Sequence, residues 1–195
     1  MKHIKKICLV FIMMVIGLSA NAQSNVAIKT NFVPDALLSP NIGVEVGLAP
    51  QWTLDISGEV NLWPINNKKW KHWMVQPEAR FWFCDRFAGQ FIGLHLMGGQ
   101  YSFGNIRNHF NFLGSDFSPL TDHRVEGWGA GLGVGYGYSL ILSDHFNLEF
   151  EIGVGAVYTR FNTFETPDSF EKIEENAQHF YYGPTKVSIA LEYVF

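Results

Sequence analysis

The sequence predicts an all-β fold, an eight-stranded antiparallel up-and-down transmembrane β-barrel preceded by a cleaved signal peptide. Three observations lead there. Segment after segment alternates with period two, apolar on one face and small or polar on the other, as strands with two different environments do. The connections between these segments alternate in length, as in barrels with short turns at one end and longer loops at the other. The polar face is thin and rich in glycine, which suits the narrow lumen of a barrel filled by few side chains.

The leader comes first. Lys2, Lys5 and Lys6 precede an apolar run, Ile7 to Leu18, and Ser19-Ala20-Asn21-Ala22 ends it with small residues in an A-x-A pattern. This reads as a secretory signal peptide over residues 1–22, leaving one barrel domain over residues 23–195. Cys8 lies inside the apolar run, far from the cut, and Cys84 is the other cysteine. No internal disulfide is then available to the mature chain, and Cys84 is expected to be a small buried or lipid-facing hydrophobe. No later run reaches the roughly 18 apolar residues of a spanning helix. Charged residues make up 16% of the chain, against about 25% in an average soluble protein. The formal charge of -4 becomes more negative once the leader lysines are removed, which argues against nucleic acid as a partner.

The predicted strands follow in order. Asn25–Phe32 sets Val26, Ile28 and Phe32 against Asn25, Lys29 and Asn31, and a connection bounded by Pro34 and Pro40 follows. Asn41–Leu48 sets Ile42, Val44, Val46 and Leu48 against Asn41, Gly43, Glu45 and Gly47, and Ala49-Pro50-Gln51 turns tightly. Trp52–Leu62 resumes with Asp55, Ser57, Glu59 and Asn61 on its polar side, before a longer connection from Trp63 to His72. Trp73–Cys84 carries Glu78 and Arg80 opposite Val75, Ala79 and Phe81, and Pro77 within it predicts a bulge. After a short turn, Ala88–Phe103 places Ile92, Leu94 and Leu96 opposite His95 and Tyr101. A long polar loop covers Gly104–Asp122. His123–Leu142 then puts Gly127, Gly129, Gly131, Gly133, Gly135 and Gly137 on one face. Phe146–Phe161 has Glu149 and Glu151 on its polar face; a long loop spans Asn162–Pro184, and Thr185–Phe195 closes the chain. Both mature termini are expected at the short-turn, periplasmic end.

A soluble barrel would carry the same alternation with its apolar face inward. Glycine on a solvent face would only weaken strands, so the glycine-rich face is assigned to the lumen. The apolar face has aliphatic centres and aromatic ends, such as Trp73 with Phe83, and Trp128 with Tyr138, as interfacial girdles do. The lumen is then predicted to hold Glu45, Asp55, Glu59, Glu78, Glu149, Glu151 and Glu192 against Lys29, Arg80, Lys186 and His95. Buried charges need partners, so a salt-bridge network with Arg80 near its centre is expected to plug the barrel.

Several stretches carry a resemblance. Lys29-Thr30-Asn31, Pro40–Glu45, Lys68–Trp73, Gln76–Trp82 and Gly93-Leu94-His95 resemble a domain-of-unknown-function family of exported barrel proteins, similar to small OmpA/OmpX-type barrels. The resemblance supplies no catalytic or ligand-binding residues. It implies a role in surface assembly or adhesion, through a loose association of such proteins with surface fimbriae. The last strand resembles the closing strand of outer-membrane barrels, in which Tyr193 and the terminal Phe195 would serve as the insertion signal read by the barrel-assembly machinery.

Candidate chemistry is sparse. Small barrels include lipid-modifying enzymes, and Ser115, Asp116, Asp122, His123, His109 and His179 are the residue types such an enzyme would use, without the spacing of a known motif. No metal motif and no cofactor site is predicted. Lys68, Lys69, Trp70, Lys71 and Trp73 mix cations with indoles at the expected outer interface, where they read as interfacial anchors or, alternatively, as a grip on lipopolysaccharide phosphates. The strands around the third long loop exceed the 9–11 residues that span a membrane. They are expected to rise as a small sheet whose edge could recruit a strand from a partner. The expected role is non-enzymatic: structural, adhesive or accessory to surface assembly, with outer-membrane lipid, lipopolysaccharide, the insertion machinery and a surface or fimbrial protein as partners. A lipid-modifying enzyme and a narrow channel are the alternatives.

Overall fold

The computed structural model describes residues 26–63, 69–105, 111–112, 115–116, 121, 123–166 and 171–195. The predicted leader lies outside the described residues. The elements are β1 (Val26–Asn31), α1 (Phe32–Ala36), β2 (Asn41–Ala49), β3 (Trp52–Asn61), β4 (Lys69–Trp82), β5 (Gly89–Gly104), β6 (Asn111–Phe112), β7 (Ser115–Asp116), β8 (Arg124–Ile141), β9 (Phe146–Phe164) and β10 (Lys172–Val194). Eight antiparallel strands close into a barrel in the order β1-β10-β9-β8-β5-β4-β3-β2, and β6 and β7 form a separate two-stranded sheet. Each strand pairs with its chain neighbour among these eight, and the first pairs with the last. Every edge in the closed part of the barrel is therefore used.

Alternation decides which side chains point where. Ile42, Leu48, Ile92, Leu94, Leu96, Leu132, Val134, Ile152 and Val154 face outward and are exposed. Glu45, Asp55, Glu78, Arg80, His95, Glu149, Glu151 and Glu192 face inward and are buried. This inverts the usual polarity of a soluble domain. The glycine face fits the same geometry, because neighbouring atoms fill the space. A Cβ on Gly137 would meet the Phe91 ring, and one on Gly133 would lie 2.5 Å from His95 Nε2.

The two ends differ. The short connections β2–β3, β4–β5 and β8–β9 share one end with Val26 and Phe195. There Phe87, Trp82 and Phe91 turn inward and seal the barrel, with ring centroids of Trp82 and Phe91 4.6 Å apart. Phe87 takes a left-handed backbone, φ 62°. That conformation is uncommon outside glycine. At the other end the wall is uneven. β1 has 6 residues and β10 has 23, so a sheet of the longer strands projects past β1 and β2.

The eight barrel strands match the predicted eight, β6 and β7 fall within the predicted loop Gly104–Asp122, and the boundaries differ where polarity misleads. β4 begins at Lys69 rather than Trp73, so the basic stretch is strand. β10 begins at Lys172 rather than Thr185, and most of the predicted last loop is therefore strand. Pro77 makes no bulge. It pairs with Ile56 on β3 and leaves a gap in the β4–β5 ladder, after which the same register resumes at Glu78↔His95. The register shifts instead at three places in β10, between Lys172 and Glu174, Glu174 and Ala177, and Pro184 and Lys186, and once in β2, between Gly47 and Ala49. The connection bounded by prolines contains α1, capped by Asn31 Oδ1, which accepts from the Val33 amide at 3.1 Å. Cys84 is exposed in the β4–β5 turn, so it is not a buried hydrophobe.

Asn31 has a second role at the seam. β1 pairs with β10 only from Ala27↔Val194 to Asn31↔Ala190. Beyond that, the Asn31 amide takes the place of a further peptide group. Its Nδ2 donates to the Val187 carbonyl at 3.2 Å, and its Oδ1 accepts from the Ile189 amide at 3.1 Å. Asn41 does the same for β1, accepting from the Asn31 amide at 2.7 Å and donating to its carbonyl at 2.8 Å.

Candidate functional site: the charged lumen and its vestibule

The lumen is built around Arg80 on β4. Its guanidinium donates through Nε to Glu78 at 3.0 Å and through Nη1 to Glu45 at 2.6 Å and Glu149 at 2.7 Å. Nη2 donates to Glu149 at 3.1 Å and Glu151 at 2.7 Å. All five N–H donors of the fork are therefore used. Below it, the Arg80 Cζ lies 4.4 Å from the Phe91 ring centroid, a cation–π contact on the apolar seal. Lys29 on β1 donates to Glu45 at 2.5 Å and Glu149 at 3.3 Å. Lys186 on β10 pairs with Glu78, and with Glu151 at 3.1 Å. Lys29 and Lys186 thus reach the network from the first and last strands.

The remaining predicted lumen residues sit around this centre. Asp55 has Lys29 Nζ at 3.3 Å, Arg80 Nη2 at 3.8 Å and Lys186 Nζ at 3.9 Å. Glu192 is held by Asn147 Nδ2 at 3.1 Å, on the seal side. His95 Nε2 shares a hydrogen bond of 2.8 Å with Thr185 Oγ1, and its Nδ1 lies 4.0 Å from Glu78. Glu59 stands apart. It faces inward near the open end, 3.3 Å from His72 Nε2, and takes no part in the Arg80 cluster. Single-strand alternation puts Glu59 on the right face but cannot give its height.

Sequence reasoning missed the uncharged partners. Thr53 donates to Glu45 at 2.5 Å and accepts from the Trp82 indole at 2.9 Å, tying the ion network to the seal. Asn147 donates to the Phe87 carbonyl at 2.9 Å. Gln76 donates to the Thr185 carbonyl at 3.3 Å across the lumen. The signal for each was its place on the inward parity of its strand.

The basic and aromatic stretch does not form one patch. Lys68 and the Lys69 side chain lie outside the described residues. Trp70 faces inward and stacks on Phe103 with centroids 4.6 Å apart, whereas Lys71 and Trp73 face outward. The reason is that this stretch is strand, and strand neighbours alternate. At the short-turn end Tyr193 contacts His145, Phe146 and Phe195, and the Phe195 amide donates to the Val26 carbonyl at 3.0 Å. His109, Asp122 and the side chains of Ser115 and Asp116 lie outside the described residues. His123 Nδ1 meets the backbone carbonyl of Glu165 at 2.8 Å.

Among the described residues, two buried groups, Glu78–His95–Glu151 and Glu45–Glu149–Glu192, each place ligand-type atoms within 4.8 Å of one another. A metal fits neither well, because Arg80 with Lys186, or Arg80 with Lys29, already stands among the same oxygens. Towards the open end lies a cavity of about 310 Å³, the vestibule. It runs from α1 down to Lys29, Asp55, Arg80 and Lys186, and Gln76 and Pro184–Ser188 line its sides.

A family model described as "Protein of unknown function (DUF3575)" matches residues 8–195. No curated protein and no solved structure matches the chain.

Proposed function

The chain belongs to the DUF3575 family of proteins of unknown function, and because that membership carries no assigned activity, we propose the role from the geometry. The protein is a non-enzymatic outer-membrane β-barrel that serves as a structural, adhesive or surface-assembly accessory. One observation carries the membrane reading: the outward apolar belt lies between two aromatic rows. On β8, Trp128 and Tyr138 both point outward. Ten residues of strand measure about 33 Å. With the usual barrel tilt this is about 25 Å of height, the thickness of the apolar band of such proteins. The opposite face buries its charges as ion pairs, which supports a plugged barrel rather than a conduit, and the Phe87–Trp82–Phe91 seal supports the same conclusion.

The surface role rests on the projecting sheet. β10 pairs with β9 along its length, while its pairing with β1 begins only at Ala190. The projecting part of β10 therefore has an edge towards β1 on which a partner's strand could pair. This edge belongs to β10, and residues 105–121 lie largely outside the described residues.

Cys84 allows a direct test, since it lies exposed at the short-turn end. In intact cells a membrane-impermeant maleimide should leave Cys84 unlabelled and should label a C84S/E175C double variant, because Glu175 is exposed on the projecting strand. Permeabilising the outer membrane should make Cys84 reactive. Equal labelling of both sites in intact cells would refute this orientation, and recovery of the protein outside the membrane fraction would refute the location.

A further inference from the structure

We infer that a cleft on the outward wall, centred on Gly98, holds one acyl chain of a lipopolysaccharide molecule, with a lipid A phosphate at the rim above it. The inference rests on the outer-membrane reading proposed above and adds a site to it. The cleft has a volume of about 550 Å³, within the usual range for ligand pockets. It crosses β4, β5 and β8, and its shape follows from their register.

Three outward rows define it. Val75, Gly98 and Ala130 lie side by side across the strands, so the middle row is small. A Cβ on Gly98 would find nothing nearer than 3.9 Å, so the floor of the cleft is open. The row towards the long-strand end is Trp73, Gln100 and Trp128, two indoles with an amide between them. The row below is Leu96 beside Leu132, with Pro77 at the gap in the β4–β5 ladder. A hydrocarbon chain passing between the two indoles and over Gly98 would replace the missing side chain and supply the contacts that the open floor lacks.

The polar end of the site lies directly above. A second cleft, of about 350 Å³, shares Trp73 and Gln100 with the first and is also lined by Lys71, Ser102 and Glu126. The Trp73 indole donates to Gln100 Oε1 at 3.3 Å, which leaves the Gln100 Nε2 hydrogens free for a ligand. Lys71 on β4 and Arg160 on β9, opposite Trp128 in the ladder, stand in no ion pair among the described residues. Glu126 is the acid of this level, and Arg124 Nε at 3.1 Å and Ser102 Oγ at 2.9 Å already hold it. Two free cations therefore flank the pair of indoles.

An apolar cleft below free cations fits an anionic amphiphile. A peptide is a poor occupant, because its backbone groups would find no partners over Gly98. A zwitterionic phospholipid would bring its own ammonium to Lys71 and Arg160 and gain less from them. Lipid A is a bisphosphorylated, multiply acylated disaccharide, so two cations beside an acyl cleft match it better than they match a phospholipid with a single phosphate. The site lies at the end of the barrel away from Val26 and Phe195, which is the cell-surface side in the proposed orientation.

The test uses the full-length barrel extracted from outer membranes into a non-ionic detergent, with native mass spectrometry during titration with deep-rough lipopolysaccharide, phosphatidylglycerol or phosphatidylethanolamine. One lipopolysaccharide should stay bound, about tenfold more tightly than either phospholipid. Gly98→Phe fills the cleft from the outward face, and Ala130→Phe does so from the neighbouring strand; each should weaken lipopolysaccharide binding about tenfold. Ile152→Phe adds a ring elsewhere on the outward face and should leave binding unchanged. The K71A/R160A double variant should also weaken binding about tenfold and remove its dependence on salt. Equal binding of phosphatidylglycerol, or undiminished lipopolysaccharide binding by folded G98F and A130F or by K71A/R160A, overturns the site and leaves the membrane location standing. Recovery of the barrel outside the membrane fraction overturns the location and the site together.

Discussion

Replacing Arg80 by methionine is expected to destabilise the barrel by at least about 3–5 kcal/mol, the usual cost of removing one partner from a buried ion pair. The readout is a lowered urea midpoint for the protein refolded in detergent micelles. The expectation follows from what the substitution leaves behind. Glu45, Glu78, Glu149 and Glu151 all accept from one guanidinium, and methionine keeps the packing on Phe91 without supplying a proton donor. Arg80→Lys should fall between the two, because a point charge cannot serve four carboxylates as a planar fork does. An R80M midpoint equal to wild type would mean that the cluster contributes nothing to holding the strands together.

The second large effect is positional. Gly98 and Gly99 are neighbours on β5 and face opposite sides. A Cβ on Gly98 would find nothing nearer than the Gly129 carbonyl at 3.9 Å, whereas one on Gly99 would run into the Trp73 carbonyl, with Met74 Cα at 3.0 Å. These are backbone atoms of the paired strand and have no rotamer with which to yield. Gly99→Ala should therefore cost about 1–3 kcal/mol, as overpacking does. Gly98→Ala should change stability by no more than about 0.5 kcal/mol, as surface substitutions away from such features do. Equal losses in the same urea assay would mean that the inward glycines reflect something other than space.

Period two was enough to find all eight strands of the barrel, because each has two faces of opposite polarity along most of its length. It failed where that contrast ends. The first turns of β4, with Lys71 and His72, and the first half of β10, with Glu174, Glu175 and Asn176, project beyond the closed ring, where both faces tolerate polar residues. Bulges between Lys172 and Glu174, between Glu174 and Ala177, and between Pro184 and Lys186 also shift the phase, so the β10 alternation cannot be read through. For the site, parity assigned the inward residues correctly but gave no heights. Glu59 and Glu45 share that inward parity, and only the register across strands sets one beside His72 and the other beside Arg80. Asp55 was legible as a lumen acid. That Lys29, Arg80 and Lys186 all surround its carboxylate depends on the register of three strands.

The brevity of the β1–β10 seam bears on how the barrel forms. β9 and β10 are hairpin neighbours and pair from Tyr193↔Phe146 to Lys172↔Phe164, whereas β1 meets β10 over five rungs only. Those rungs join the two ends of the described chain, so they carry the largest loop-closure entropy, which rises by about 0.6 kcal/mol for each doubling of the loop. Hairpins should zip first, and the curled sheet should close last, with the Asn31 and Asn41 amides acting as a latch just past the final rungs. The same clasp should be the first to open. In native-state hydrogen exchange, the amides of Ile28 and Thr30 should lose protection well before those of Val134 and Ile152, and uniform protection around the ring would contradict this order.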